Sequence, residues 1–205
     1  FRIFWDNAYS VHHLDKNQPD KLLNFMAELE KTGKEDMVMM FCSTSKITFP
    51  GSGISAVGAS SANLKWLKQH MALQTISYDK LNQLRHVRFL PNKEALSKHM
   101  EKQAEMLKPK FDIVIKNLNR LSGLDIAFWD EPKGGYFICL KVMDSCAKRV
   151  VELCKEAGVV MTPAGATHPY GKDPRDNTIR IAPTYPPVEE LEEAANLLCL
   201  CVKLA

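Results

Sequence analysis

The first ninety residues alternate between short apolar runs and helical patterns of apolar positions. Three runs are nearly continuous in apolar or small residues, which is typical of buried strands. One helical pattern stops at Gly33, and another follows the third run, where Ser60 or Ser61 could cap it. The predicted strands are 1–5, 37–42 and 54–59, and the predicted helices are 19–32 and 60–71. This alternation indicates an α/β sheet with helices.

The pattern changes at about residue 92. A long stretch with one apolar stripe predicts a helix over 94–121. Two strand-like runs around the turn at 132–135 predict a hairpin. The other predicted elements are a helix over 147–157, strands at 159–162 and 178–182, and a terminal helix that begins after Pro186-Pro187. We therefore divide the chain into segments 1–90 and 91–205.

Composition and charge exclude several classes of protein. The 205-residue chain is 45% hydrophobic and 25% charged, with a formal net charge of +3 and scattered basic residues, so we expect no nucleic-acid partner for this segment. No apolar stretch approaches the roughly 18 residues of a membrane span, so we expect no membrane partner. The six cysteines form no CxxC and the histidines show no ligand spacing, which favours buried thiols in a reducing, cytoplasmic compartment and no metal. The chain opens at Phe1 inside a predicted strand, which we interpret as part of a longer protein.

Polar side chains of distinctive chemistry follow two of the predicted strands. Asp6 ends the first strand and Tyr9 comes shortly after it, whereas Ser43, Ser45 and Lys46 follow the second. Ligands of open α/β sheets bind outside the carboxyl ends of parallel strands. An acid, a phenol, a lysine and hydroxyls suit pyridoxal 5'-phosphate (PLP), which needs a lysine for its aldehyde and commonly a carboxylate for its ring nitrogen. Taken singly, each has a structural interpretation, as a solvated loop lysine, a turn or cap aspartate, a packed tyrosine or a structural hydroxyl.

Four motifs follow one another along the chain: DNAY at 6–9, STSK at 43–46, PKGGYF at 132–137 and NTIRIAP at 177–183. In this order they resemble the fold-type I PLP-dependent aminotransferases of class I/II, and the chain is most similar to the MocR-like aminotransferase subgroup. The resemblance covers essentially the whole chain and corresponds to the C-terminal part of such enzymes. It implies an α/β fold in which 1–90 is the rear part of the PLP-binding large domain, with a mixed, mostly parallel sheet. Residues 91–205 would then be a complete α+β small domain.

The resemblance implies three catalytic residues, which would also bind the cofactor. Lys46 would carry PLP as a Schiff base and later move the proton between the substrate Cα and C4′. Asp6 would pair with the pyridine nitrogen and keep it protonated, so that the ring can accept electrons. Tyr9 would hydrogen-bond to the ring hydroxyl oxygen.

The resemblance also implies phosphate and substrate contacts. Ser43 and Ser45 would bind phosphate oxygens, and Arg180 would bind the substrate α-carboxylate, for which its planar fork is suited. Arg180 could instead face solvent by plain strand alternation. Many members of the family place a phosphate-binding arginine where this chain has Ile54, and the glycine-rich turn at 51–53 could substitute for it.

Together these residues imply an aminotransferase that moves an amino group between an amino acid and a 2-oxo acid, acting as a homodimer in the full-length protein. We expect the isolated 205 residues to be inactive and to hold PLP weakly, because further contacts lie outside the segment. Two other interpretations stay open: a PLP lyase or decarboxylase of the same fold, and a PLP-fold effector domain of a transcriptional regulator. His168 or Lys172 could bind a second carboxylate of the substrate. Alternatively, their loop is a polar surface loop.

Overall fold

The computed structural model describes all of residues 1–205 and separates them into two compact units. The first unit contains 1–11 and 20–102, and the second contains 12–19 and 103–205. Sequence analysis divided the chain near residue 90, whereas the contacts divide it inside a continuous helix, Lys93–Leu118. The assignment of 1–90 and 91–205 to a large and a small domain stays a prediction.

The first unit is built on a three-stranded mixed sheet of β1 (Ile3–Asp6), β2 (Val38–Ser43) and β3 (Ser55–Ala59). Strands β1 and β2 are parallel, and β3 runs antiparallel to β2. The three predicted strands and the predicted mixed sheet are confirmed. The connection 44–54 therefore begins at the carboxyl end of β2, at the sheet edge where β1 also ends.

Three α-helices lie entirely within the first unit: α1 (Phe25–Glu30), α2 (Ser61–Gln74) and α3 (Lys80–Phe89). The predicted cap of α2 is Ser60, whose side chain accepts the N–H of Asn63. The predicted helix 19–32 is wrong at its start, because Asn24 caps α1 by accepting the N–H of Ala27 and the preceding residues are not helical. Sequence analysis missed α3, which Asp79 caps and whose residues are mostly polar or basic.

The second unit is built on a three-stranded antiparallel sheet of β4 (Ala127–Trp129), β5 (Ile138–Val142) and β6 (Thr178–Ile181), in that order. The predicted hairpin is confirmed as β4 and β5. Helices α4 (Lys93–Leu118), α5 (Ala147–Glu156) and α6 (Val188–Leu204) accompany the sheet. Alternation along β5 buries every second side chain, which joins a core containing Leu118, Leu121, Ile138, Leu140, Ile179 and Val150.

The predicted strand at 159–162 is wrong. Its residues belong to no ladder, because the N–H of Val159 donates to the carbonyl of Cys154 at the end of α5 rather than to a neighbouring strand. The short apolar run therefore follows α5 as irregular chain. None of the helices is both long enough and apolar enough to cross a bilayer.

All six cysteines are free thiols, and half of them are buried. Burial, together with the neighbouring Cys201 and Cys199, raises the pKa of the Cys154 thiol to about 12. The expectation of buried thiols is wrong for Cys42 and Cys139, which are exposed because they occupy outward positions of β2 and β5.

Candidate functional site

Lys46 stands in a tight turn that follows β2. The strand ends at Ser43, and the N–H groups of Ile47 and Thr48 then both donate to the carbonyl of Thr44, at 2.9 and 2.8 Å. Lys46 is exposed, whereas Ile47 beside it is 8% exposed. The buried isoleucine anchors the turn, so the lysine side chain leaves from a backbone of fixed geometry.

Asp6 is the last residue of β1 and pairs in register with Phe41. One of its carboxylate oxygens accepts the N–H of Ala8 at 3.0 Å, which bends the chain away from the strand. The N–H of Asn7 continues the ladder to the carbonyl of Phe41 at 2.8 Å. Asp6 is exposed, and Tyr9 is half-buried in the turn that follows.

The parallel pairing of β1 and β2 places these groups at one sheet edge. Asp6 is opposite Phe41, two positions before Ser43, so the acid and the start of the lysine turn lie at the carboxyl ends of adjacent strands. Adjacent strands are about 4.8 Å apart. The sheet thus brings together the acid, the serine and the lysine-bearing turn that sequence analysis selected, and their individual roles stay predictions.

The backbone around Ser45 is packed closely against the glycine-rich turn. A Cβ added to Gly53 would lie 2.8 Å from Oγ of Ser45 and 3.0 Å from its backbone nitrogen, so this approach requires glycine. The carbonyl of the next residue, Ile54, accepts the backbone N–H of Thr44, and its N–H donates to Oγ1 of Thr44, both at 2.9 Å. Ile54 therefore contacts the loop through its backbone N–H and carbonyl, and its side chain supplies no positive charge for a phosphate.

Two side chains of α3 also contact this loop, and sequence analysis missed both. Nε2 of His86 lies 2.8 Å from Oγ1 of Thr44, and Nδ2 of Asn82 donates to the carbonyl of Ser52 at 2.8 Å. A single histidine in a polar segment carries little information by itself. The signal that could have found the helix is Asp79 as an N-cap before a run of helix-forming residues.

Arg180 lies on the second unit, in the middle of β6 between the buried Ile179 and Ile181. Its Cζ is 4.6 Å from the centre of the Phe137 ring, a cation–π distance. Its Nε is buried and has no hydrogen-bond partner. Plain alternation towards solvent therefore does not describe this side chain, which is half-buried and keeps one donor unsatisfied.

The loop before β6 is organised by a buried carboxylate. Asp173 has only 4% of its side chain exposed and accepts the N–H groups of Arg175, Asn177 and Thr178, each at 3.0 Å. Burial by itself raises the pKa of Asp173, but these hydrogen bonds and nearby His168 lower it to about 2.

His168 is held by its own loop. Its Nε2 lies 3.6 Å from Oδ1 of Asp173, and its Nδ1 lies 3.1 Å from Oγ1 of Thr167. Both ring nitrogens therefore lie beside protein groups, which leaves Lys172 as the exposed cation of the two candidates for a second carboxylate. That role stays a prediction.

A lysine turn and an acid at the ends of adjacent strands of a mixed sheet are the arrangement expected of a fold-type I aminotransferase. This chain belongs to the aminotransferase family described as "Aspartate amino-transferase", whose model matches residues 1–205. Membership of this family implies PLP as the cofactor.

Known relatives agree with this assignment. A Corynebacterium glutamicum aspartate aminotransferase is 42% identical over 206 residues, which cover 100% of this chain and 48% of the relative. A relative from Mycolicibacterium smegmatis is 43% identical over 208 residues, with the same shares covered. The crystal structure of an aspartate transaminase from C. glutamicum superposes with a TM-score of 0.95 at 41% identity, over 100% of this chain and 48% of that one. The chain thus spans about half the length of the curated relatives it matches.

Proposed function

We propose that the full-length protein is a PLP-dependent aminotransferase that moves an amino group between an amino acid and a 2-oxo acid. The observation that carries the proposal is the turn of Lys46 at the end of β2, beside Asp6 at the end of the adjacent parallel strand. Because the C. glutamicum relative is an aspartate aminotransferase, aspartate is the first amino donor to assay.

The groups present fit PLP in one respect and its amino-acid substrate in another, and both depend only on this chain's atoms. The close approach of Gly53 to Ser45 makes a glycine-lined backbone loop, and such loops can receive an anion such as the phosphate. The buried Nε of Arg180 lacks a partner, and a substrate carboxylate would satisfy it. Ser43 and Ser45 would add hydroxyl donors to the phosphate.

Each catalytic residue would have a distinct role. PLP, when bound, supplies an electron-accepting ring that stabilises negative charge at the substrate Cα. Lys46 would hold the cofactor covalently and, once released as an amine, would move the proton at the substrate Cα. Asp6 would keep a proton on the ring nitrogen, and Tyr9 would donate its hydroxyl hydrogen to the ring oxygen. Arg180 would orient the α-carboxylate through two parallel N–H···O bonds.

The assembly and the location of the protein are further proposals. We propose a homodimer in the cytoplasm, since the cysteines are all free thiols and the chain resembles dimeric enzymes. A lyase or a decarboxylase would use the same residues, so product analysis separates these activities. An amino acid that is consumed without yielding its 2-oxo acid would contradict transamination.

Reductive labelling tests the central assignment. Borohydride reduction of the full-length protein with bound PLP should fix the cofactor on Lys46, as read by peptide mass spectrometry. Lys46→Ala should lower kcat for transamination from aspartate to 2-oxoglutarate at least roughly a thousand-fold, because a covalent group is lost. Lys65→Ala on α2, another exposed lysine, is the matched control and should leave both results unchanged. A label on another lysine, or full activity of Lys46→Ala, would refute the proposal.

A further inference from the structure

We propose that His86 is a positioning residue that holds the turn of Lys46 in place through the hydroxyl of Thr44. This inference rests on the proposed function, because it concerns the same lysine. His86 lies on α3, a helix that contributes no residue to the roles described above. Its contacts lie entirely within the first unit.

The hydrogen bonds of His86 define which nitrogen carries the proton. Nδ1 lies 2.8 Å from the carbonyl oxygen of Asn82, which can only accept, so Nδ1 is the N–H donor. In the neutral ring Nε2 is then an acceptor. It lies 2.8 Å from Oγ1 of Thr44 and 3.2 Å from Oγ1 of Thr48. The closer hydroxyl, that of Thr44, donates to it, because the single hydroxyl hydrogen of Thr48 goes to the carbonyl of Thr44.

Thr44 is the point where the turn, the helix and β3 meet. Its hydroxyl oxygen accepts the N–H of Ile54 at 2.9 Å, and its hydrogen is available for Nε2 of His86. Its carbonyl accepts from Ile47, from the backbone of Thr48 and from the hydroxyl of Thr48 at 3.1 Å. Lys46 lies between these residues, so a fixed Thr44 fixes the backbone from which the lysine projects.

The same helix holds the far side of the loop. Nδ2 of Asn82 donates to the carbonyl of Ser52 at 2.8 Å, next to Gly53, which packs against Ser45. Asn82 and His86 are four residues apart and therefore share one face of α3. One helix face thus contacts both ends of the loop that contains Lys46 and the proposed phosphate donors.

Burial supports a specific role for this histidine. His86 is 8% exposed, and it is the only buried residue of α3. A buried polar ring is costly unless its nitrogens are hydrogen-bonded, and here both are. Replacing it with an apolar residue would leave the hydroxyl of Thr44 with only the carbonyl of Ile54, 3.4 Å away, as an acceptor.

Four variants of the full-length protein test the inference. His86→Leu removes the acceptor, and Thr44→Val removes the donor with little change of shape. His86→Gln keeps an oxygen acceptor close to the position of Nε2. His70→Leu is the matched control, because His70 on α2 makes the same bond to the carbonyl four residues earlier, 2.9 Å from Trp66, but does not touch the turn.

We expect His86→Leu and Thr44→Val to weaken PLP binding by the apo-protein about tenfold, the equivalent of one hydrogen bond. Amide hydrogen exchange in the peptide 43–54 should become faster in the same two variants. In the holoenzyme the loss should fall on kcat, with little change in KM for the amino donor, because the lysine and not the carboxylate contact is displaced. His86→Gln should recover most of the affinity, and His70→Leu should match the wild type.

Unchanged PLP affinity and hydrogen exchange in Thr44→Val would overturn the inference, even if His86→Leu failed to fold. Failure of His86→Gln to improve on a folded His86→Leu would also overturn it, since a structural role needs only bulk. These failures differ from failure of the proposed function. In that case borohydride would leave Lys46 unlabelled in the wild type, whereas the exchange of 43–54 would still respond to the variants.

Discussion

At this site the available space limits which residue type can stand at a position, as much as chemistry does. Gly53 has no left-handed backbone requirement, yet a Cβ there would collide with Ser45. Gly58, five residues later in β3, has nothing within 4 Å of the same position. A comparison of alanine substitutions at Gly53 and Gly58 therefore separates the steric requirement of the loop from the general cost of replacing a glycine.

We expect Gly53→Ala to weaken PLP binding by the full-length protein at least about tenfold, because Ser45 must move and its hydroxyl and N–H move with it. Gly58→Ala should bind PLP as the wild type does. Equilibrium titration of the apo-protein, followed by cofactor absorbance, measures both. Equal affinities for the two variants would show that the approach of Gly53 to Ser45 has no role in the cofactor site.

Among the elements, the loop at 165–177 depends on one side chain for its shape. Asp173 accepts three backbone N–H groups, and a Cβ on Gly165 would lie against the carbonyl oxygen of Gly171. The loop is long and irregular apart from the short turn Pro169–Gly171. Its order therefore comes from a carboxylate acting as a local backbone acceptor directly before β6.

The carboxylate of Asp173 makes the stability of the second unit depend on pH in the acid range. Its pKa is lowered in the folded state to about 2, so its contribution to stability is complete above the unfolded pKa of about 3.9. The contribution is lost as the pH falls from there through about 2. Asp173→Asn should lower the free energy of unfolding at neutral pH by about 2 kcal/mol, because charged acceptors are lost.

Thermal unfolding of the full-length protein between neutral and acid pH checks this expectation. The difference between wild type and Asp173→Asn should shrink as the pH falls below about 4. Asp112→Asn is the control, since Asp112 makes an exposed ion pair with Lys108 and should have little effect. A stability difference that is independent of pH in this range would rule out the carboxylate as its source.

The chain as a whole leaves a large amount of apolar surface exposed in its first unit. Leu73 and Ile76, at the end of α2 and just after it, are 87% and 104% exposed, and Leu81, Val87 and Phe89 on α3 are also exposed. Where such side chains adjoin one another, soluble monomers rarely leave them uncovered. We therefore expect the 205-residue chain by itself to self-associate.

Sedimentation velocity tests this expectation. The wild-type chain should sediment as oligomers, and the double change Leu73→Lys with Ile76→Lys should shift it towards monomer. Tyr170→Lys, at a residue 97% exposed in the second unit, is the control and should not shift it. A monomeric wild-type chain would contradict the prediction that this surface promotes self-association.

Much of the fold could be read from local patterns. Continuous apolar runs predicted β1 and β2, because burial on both faces favours such runs, and the strand-like runs around the turn at 132–135 predicted the hairpin of β4 and β5. The polar residues at 6, 9, 43, 45 and 46 were found because they interrupt those runs abruptly. The prediction of a strand at 159–162 was wrong, since a short apolar stretch becomes a strand only where another strand is available to pair with it.

The contacts of α3 had no such local signal. That His86 would be buried and bonded to Thr44 depends on two segments 42 residues apart in the chain, and a polar helix shows no stripe to reveal which face is covered. The collision of a Gly53 Cβ with Ser45 and the unpartnered Nε of Arg180 are likewise properties of packing. Chain periodicity and motif order were thus enough to identify the strand ends and to select the residues whose roles are proposed. The contacts of α3 that hold the turn of Lys46 are visible only in the tertiary structure, because hydrogen bonds between distant segments leave no periodic pattern in the sequence.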